Sequence, residues 1–182
     1  MELKKIALLH TDDVGNEFEA IRQTLEYFGY EVFRKAIGRP ADFVEVINGK
    51  NEFLAQIPIW VLSVHGQEGK FVMPELGKDV YQKTEPRSNI GPDFIKQHGR
   101  FARQIVLTTA CTLGNDSMAS AFLENGASAF IGPADYIEGN AALLFAQHFF
   151  YQLTVAPSDV EGAFNKARAI DKETSIFTWH TK

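Results

Sequence analysis

Short, almost wholly apolar runs alternate along this chain with longer segments in which apolar residues recur every three or four positions. The first kind suits strands buried on both faces, the second amphipathic helices packed over them. Residues 5–9 predict a strand, and 16–28 a helix whose Phe18, Ile21, Leu25 and Phe28 share one face before Gly29 ends it. A second strand follows at 30–35. Pro40, Ala41 and Asp42 then open a helix presenting Phe43, Val46 and Ile47, which the pattern carries on to Phe53 and Leu54. Residues 57–64 form a third strand, apolar apart from Ser63. Beyond it the pattern predicts a hairpin at 69–76, a polar loop at 78–92 and a brief helix at 94–98. A fourth strand at 104–110 precedes a helix at 117–124 that stops at Asn125-Gly126, and a fifth at 128–131 stops at Gly132-Pro133. Helices at 140–153 and 159–170 close the pattern, the second capped by Ser158 or Asp159. The tail, 171–182, suits either a last short strand or a loose end. This order predicts an α/β, three-layer sandwich: a mostly parallel sheet with helices on both faces.

Composition narrows the picture. With 182 residues and 45% hydrophobic content, 15 of the residues being Phe, the chain carries one well-buried core and reads as a single domain over 1–182. Lys and Arg number 18 against 23 Asp and Glu, a net charge of −5, and no basic block stands ready to neutralise phosphates, so nucleic acid is not an expected partner. The apolar run after Met1 breaks at His10-Thr11-Asp12-Asp13 without a small-residue cleavage pattern, so no signal peptide is expected. No run approaches the roughly 20 apolar residues that span a bilayer, so no membrane association is expected. A single cysteine, Cys111, excludes an internal disulfide and points to a reducing, cytoplasmic location. One thiol and scattered histidines make no metal cluster, and there is no phosphate-binding glycine loop, so no cofactor is expected.

Candidate chemistry follows from where the strands end, because sites in such sheets form outside the carboxyl ends. The first strand ends in His10-Thr11-Asp12-Asp13, the third in His65-Gly66, the fourth in Ala110-Cys111 and the fifth in Pro133-Ala134-Asp135. The thiol and a glycine-flanked imidazole thus share one edge. An imidazole, or the start of the helix after Cys111, lowers the cost of ionising a thiol. Gly66, lacking a side chain, lets a substrate carbonyl approach its backbone N–H, which with that of Cys111 would form an oxyanion hole for acyl transfer. The plainer alternative is a buried structural cysteine. His10 is a second candidate base, while His98, His148 and His180 read as surface or packing residues. A nucleophile elbow of the Gly-x-Cys-x-Gly kind is absent, since Thr109 and Leu113 stand at the glycine positions.

The string His65-Gly66-Gln67-Glu68-Gly69 after an apolar strand, and Thr109-Ala110-Cys111 at the end of the next long one, resemble the His-Gly and Ala-Cys motifs of the caspase-like cysteine peptidases. The helix through Phe18 to Phe28 with Gly29-Tyr30 after it resembles the same group, and residues 108–133 are similar to bacterial CHAT domains. The resemblance implies a caspase-like, flavodoxin-like sheet, with His65 as general acid/base, Cys111 as nucleophile and the Gly66 and Cys111 amides as oxyanion donors. Metacaspases carry an Asp where Thr109 stands, and caspases an Arg near Thr11-Asp12-Asp13. The acidic Asp12, Asp13 and Asp135 therefore favour a Lys or Arg at P1. Their ordinary alternative is turn and cap formation. The expected partner is a protein or peptide substrate, with a groove that is short or completed by a partner protein or a second copy. The alternative function is a caspase-like interaction or regulatory domain without turnover.

Overall fold

A computed structural model describes residues 4–157 and 159–182. Its centre is a six-stranded sheet in the order β2-β1-β3-β6-β7-β8, formed by β1 (Lys5–His10), β2 (Glu31–Ala36), β3 (Ile59–Ser63), β6 (Ile105–Thr108), β7 (Ala129–Pro133) and β8 (Phe177–Thr181). All pairings are parallel except β7 with β8. Between β3 and β6 lies a separate hairpin, β4 (Gly66–Gln67) and β5 (Lys70–Phe71).

Alternation along the strands divides the core in two. Ala7, Leu9, Trp60, Leu62, Val106 and Phe130 face one layer of helices: α2 (Pro40–Ile47), α3 (Glu52–Ala55), α4 (Pro92–His98) and α5 (Asp116–Glu124). Ile6, Leu8, Val61, Leu107 and Ile131 face the other: α1 (Glu17–Tyr27), α6 (Gly139–Val155) and α7 (Val160–Arg168). Both faces of the sheet are buried, which is why these strands carry apolar residues at nearly every position. The expected α/β three-layer architecture is therefore present. Among the described residues no helix is long and apolar enough to cross a membrane.

Local differences from the sequence reading have local causes. The second helix does not run on to Phe53 and Leu54: Gly49 takes φ 73°, and a new short helix starts at Glu52 with the Asn51 side chain accepting from the Leu54 amide at 3.1 Å. The hairpin starts at Gly66 rather than at 69, because Glu68 and Gly69 have φ of 51° and 71°, the paired left-handed residues of a tight two-residue turn. Ser158 lies outside the described residues, and Asp159 caps α7, its carboxylate accepting from the Gly162 amide at 2.7 Å. The tail does form a strand. Antiparallel β8 is held by Phe177, whose ring stacks on Phe145 of α6 at 3.6 Å between centroids. The polar loop before α4 is pinned by Glu85, whose fully buried carboxylate binds the Arg39 guanidinium at 2.6 Å and accepts from the Ala41 and Gln82 amides. Arg39 above all holds the Glu85 carboxyl down at about 2.

Candidate active site

β1 pairs with β3 so that His10 lies opposite Ser63, and β3 with β6 so that Leu62 lies opposite Thr108. Val64, one residue past the end of β3, and Ala110, two past the end of β6, are buried in the core on the α2 to α5 side. Their flanking residues, Ser63 and His65 on one strand and Thr109 and Cys111 on the other, therefore belong to the α1 and α6 side. The hydrogen bonds agree. The Ser63 and Thr109 hydroxyls both donate to Oε1 of Glu17, the first residue of α1, at 2.7 and 2.6 Å. His65 Nε2 lies 3.2 Å from the backbone carbonyl of Asp13, in the single 3-10 turn Asp12–Val14 before α1. Cys111 Sγ donates to the carbonyl of Ile137 at 3.8 Å, in the segment leading to α6. Histidine and thiol thus stand one strand step above the pair of hydroxyls that Glu17 bridges.

A carbonyl oxygen only accepts, so the His65 contact calls for a proton on Nε2, and a neutral ring so held would carry its lone pair on Nδ1. The ring is exposed and Cys111 half-buried. Gly66 has a steric reason to be glycine: a Cβ there would overlap the Cys111 carbonyl oxygen and lie 2.9 Å from the Cys111 nitrogen. The main chains after β3 and β6 are in direct contact at this point. The loop after Cys111 is held from β7 and β8, with the Thr112 amide donating to Asp135 O at 3.1 Å and that of Gly114 to Pro133 O at 2.8 Å. The Thr178 hydroxyl donates to Gly114 O at 2.6 Å, and His180 Nε2 approaches the same carbonyl at 3.0 Å.

The three aspartates are distributed around this centre. Asp12 has a side chain 91% exposed, 3.8 Å from His10 Nδ1. Asp13 and Asp135 are exposed, and what joins them to the site is their backbone: Asp13 O at His65, Asp135 O at Thr112. The Asp135 carboxylate accepts from the Tyr136 amide at 2.7 Å. His10 is buried, its ring stacked on Phe18 at 3.7 Å, and burial lowers its pKa. His98 packs against Phe94 and His148 bonds Gln152, whereas His180 sits on β8 against the Cys111 loop, so it is more than a surface residue. Glu17 escaped the sequence reading because an acidic residue in a first helical turn is ordinary. The available signal was the hydroxyl residue two positions before both His65 and Cys111. Among the described residues Glu17 has no cationic partner within 4 Å, and no group of three or more His, Cys, Asp or Glu gathers to hold a metal.

No family model matches the chain, and no curated protein matches it in sequence. Solved structures do. The complex of Porphyromonas gingivalis RgpB pro- and mature domains superposes with a TM-score of 0.61 at 14% identity, over 100% of this chain and 48% of that one. The Saccharomyces cerevisiae separase–securin complex gives 0.58 at 10% identity, over 97% of this chain and 12% of that one. The chain has the caspase-like α/β fold, shared with gingipain RgpB and separase. It spans about half the length of the first and a small part of the second.

Proposed function

We propose that this chain is a cysteine endopeptidase acting through His65 and Cys111. The observation that carries the reading is the contact of Gly66 with the Cys111 main chain, which joins the ends of β3 and β6 where the imidazole and the thiol stand. Nδ1 of His65 takes the thiol proton, and the thiolate attacks the scissile carbonyl carbon. The resulting oxyanion is received by the Gly66 and Cys111 amides. Collapse expels the amine, which takes the proton from His65 and leaves a thioester. Water, deprotonated by His65, then releases the acid and restores the thiol.

A basic P1 side chain suits the charges around the dyad: Asp12, Asp13 and Asp135 are exposed acids at the strand ends, and the half-buried Glu17 carboxylate, which binds the Ser63 and Thr109 hydroxyls, has no cationic partner within 4 Å among the described residues. The two compared structures are complexes with a pro-domain and with securin, which supports a protein partner here as well as a protein or peptide substrate. A domain without turnover is the second reading, favoured by the Cys111 thiol being directed at the Ile137 carbonyl.

Labelling of the native protein, read by intact mass, decides between them. Iodoacetamide and an Arg- or Lys-directed acyloxymethyl ketone are applied to wild type, His65→Ala and Glu17→Gln. The peptidase reading expects rapid single labelling of Cys111 that His65→Ala slows by about 100-fold, in the range of general-base contributions. Glu17→Gln is expected to slow the cationic ketone by about tenfold and iodoacetamide hardly at all. Slow labelling that His65→Ala does not change would establish a structural thiol and direct attention to binding partners.

A further inference from the structure

Thr112 follows Cys111 with φ 66°, left-handed backbone that a β-branched residue occupies at an energetic cost. Three hydrogen bonds hold it there. Its amide donates to Asp135 O at 3.1 Å, its carbonyl accepts from Asn115 Nδ2 at 2.8 Å, and its hydroxyl oxygen accepts from the Gly69 amide at 2.9 Å. The first two use main-chain groups that every residue except proline offers. The third needs a hydroxyl, and its donor lies in the turn of the β4–β5 hairpin, whose first strand begins directly after His65. Gly69 is itself left-handed, and a Cβ on it would come within 3.2 Å of Asn115 Nδ2, so the hairpin turn and the Cys111 loop are fitted closely. The contact of Gly66 with Cys111 is steric, whereas the Thr112–Gly69 hydrogen bond is directional.

We infer that Thr112 is a positioning residue for the dyad: its hydroxyl ties the hairpin rooted at His65 to the loop that carries Cys111, so that imidazole and thiol move as one unit. The inference rests on the peptidase reading. It places the cost of the strained φ in a specific coupling, since a glycine would satisfy the backbone without strain but would lose the bond.

The test measures the second-order rate of Cys111 alkylation by iodoacetamide from pH 5 to 9. Wild type, Thr112→Val, Thr112→Ser and Thr112→Gly are compared, each also combined with His65→Ala. Thr112→Val is expected to lose about tenfold of the His65-dependent rate, the scale of one hydrogen bond, and to shift its low-pH limb towards that of His65→Ala. Thr112→Ser keeps the hydroxyl and stays within about twofold of wild type. Thr112→Gly suits the left-handed backbone, so it folds and loses the rate as the valine does. On the His65→Ala background none of the three changes the rate.

Wild-type rates and pH profiles in both Thr112→Val and Thr112→Gly would overturn the inference, whatever their melting temperatures. So would an equal loss with and without His65. A wild-type rate insensitive to His65→Ala would remove the peptidase reading itself, and the inference with it, before any Thr112 variant is examined.

Discussion

Gly66 shows how much a single missing methyl group decides at the residue scale. Alanine there would drive its Cβ into the Cys111 carbonyl, against backbone with little room to give. Gly66→Ala is therefore expected to cost about 1–3 kcal/mol, as overpacking does, and to slow Cys111 labelling. Thermal melting and alkylation rates measured on the same sample check both effects. His10 carries a different liability. Its ring is buried against Phe18, Nε2 has no hydrogen-bond partner among the described residues, and desolvation sets its pKa below the ordinary 6.5. Between 6.5 and the folded value the unfolded chain binds more protons than the folded one. Stability is thus complete above pH 6.5 and is lost as the pH falls through the folded value. His10→Phe keeps a ring on Phe18 and removes the titration, so its denaturant midpoint should fall less than wild type's between pH 7 and pH 5. The strand-end residues were legible as candidates because an apolar run stops visibly at His65 or Cys111. Glu17 was not, since its meaning depends on which hydroxyls the fold brings to its carboxylate.

Elements were readable where their period was long and their boundaries marked. Helix α1 ends where Gly29 takes φ 88°, and the central strands stand where the apolar runs are. The tail resisted because five residues, Phe177–Thr181, mix apolar and polar side chains and become a strand by pairing with β7. The Phe177 ring, stacked on Phe145, is the anchor of that pairing. Phe177→Ala is expected to cost about 3–5 kcal/mol. Because Thr178 and His180 hold the Gly114 carbonyl, the same change should raise protease sensitivity at both the tail and the Cys111 loop. Limited proteolysis with mass mapping would reveal whether the two loosen together.

For the whole molecule, the sheet order places β1, β3, β6 and β7 between neighbours and leaves β2 and β8 at the edges. Each of those four inner strands is paired on both sides, while β2 and β8 are paired on one. Amide hydrogen exchange should accordingly be slowest in β1, β3, β6 and β7 and faster in β2 and β8. Exchange in β8 as slow as in β3 would indicate that a partner or second copy covers that edge. The alternation of strands and helices, the burial of both sheet faces and the delivery of His65, Gly66 and Cys111 to strand ends are all legible in the amino-acid order. These follow from local periodicity and from glycine, which act over a few residues. The expected adjacency of the His65 and Cys111 strands is present as the β3–β6 pairing, but the folded chain alone shows that Glu17 bridges Ser63 and Thr109, that Thr112 binds Gly69, and that the tail completes the sheet. Each of those contacts joins segments far apart in the chain, and hydrogen bonding between them depends on register and packing that no local pattern contains.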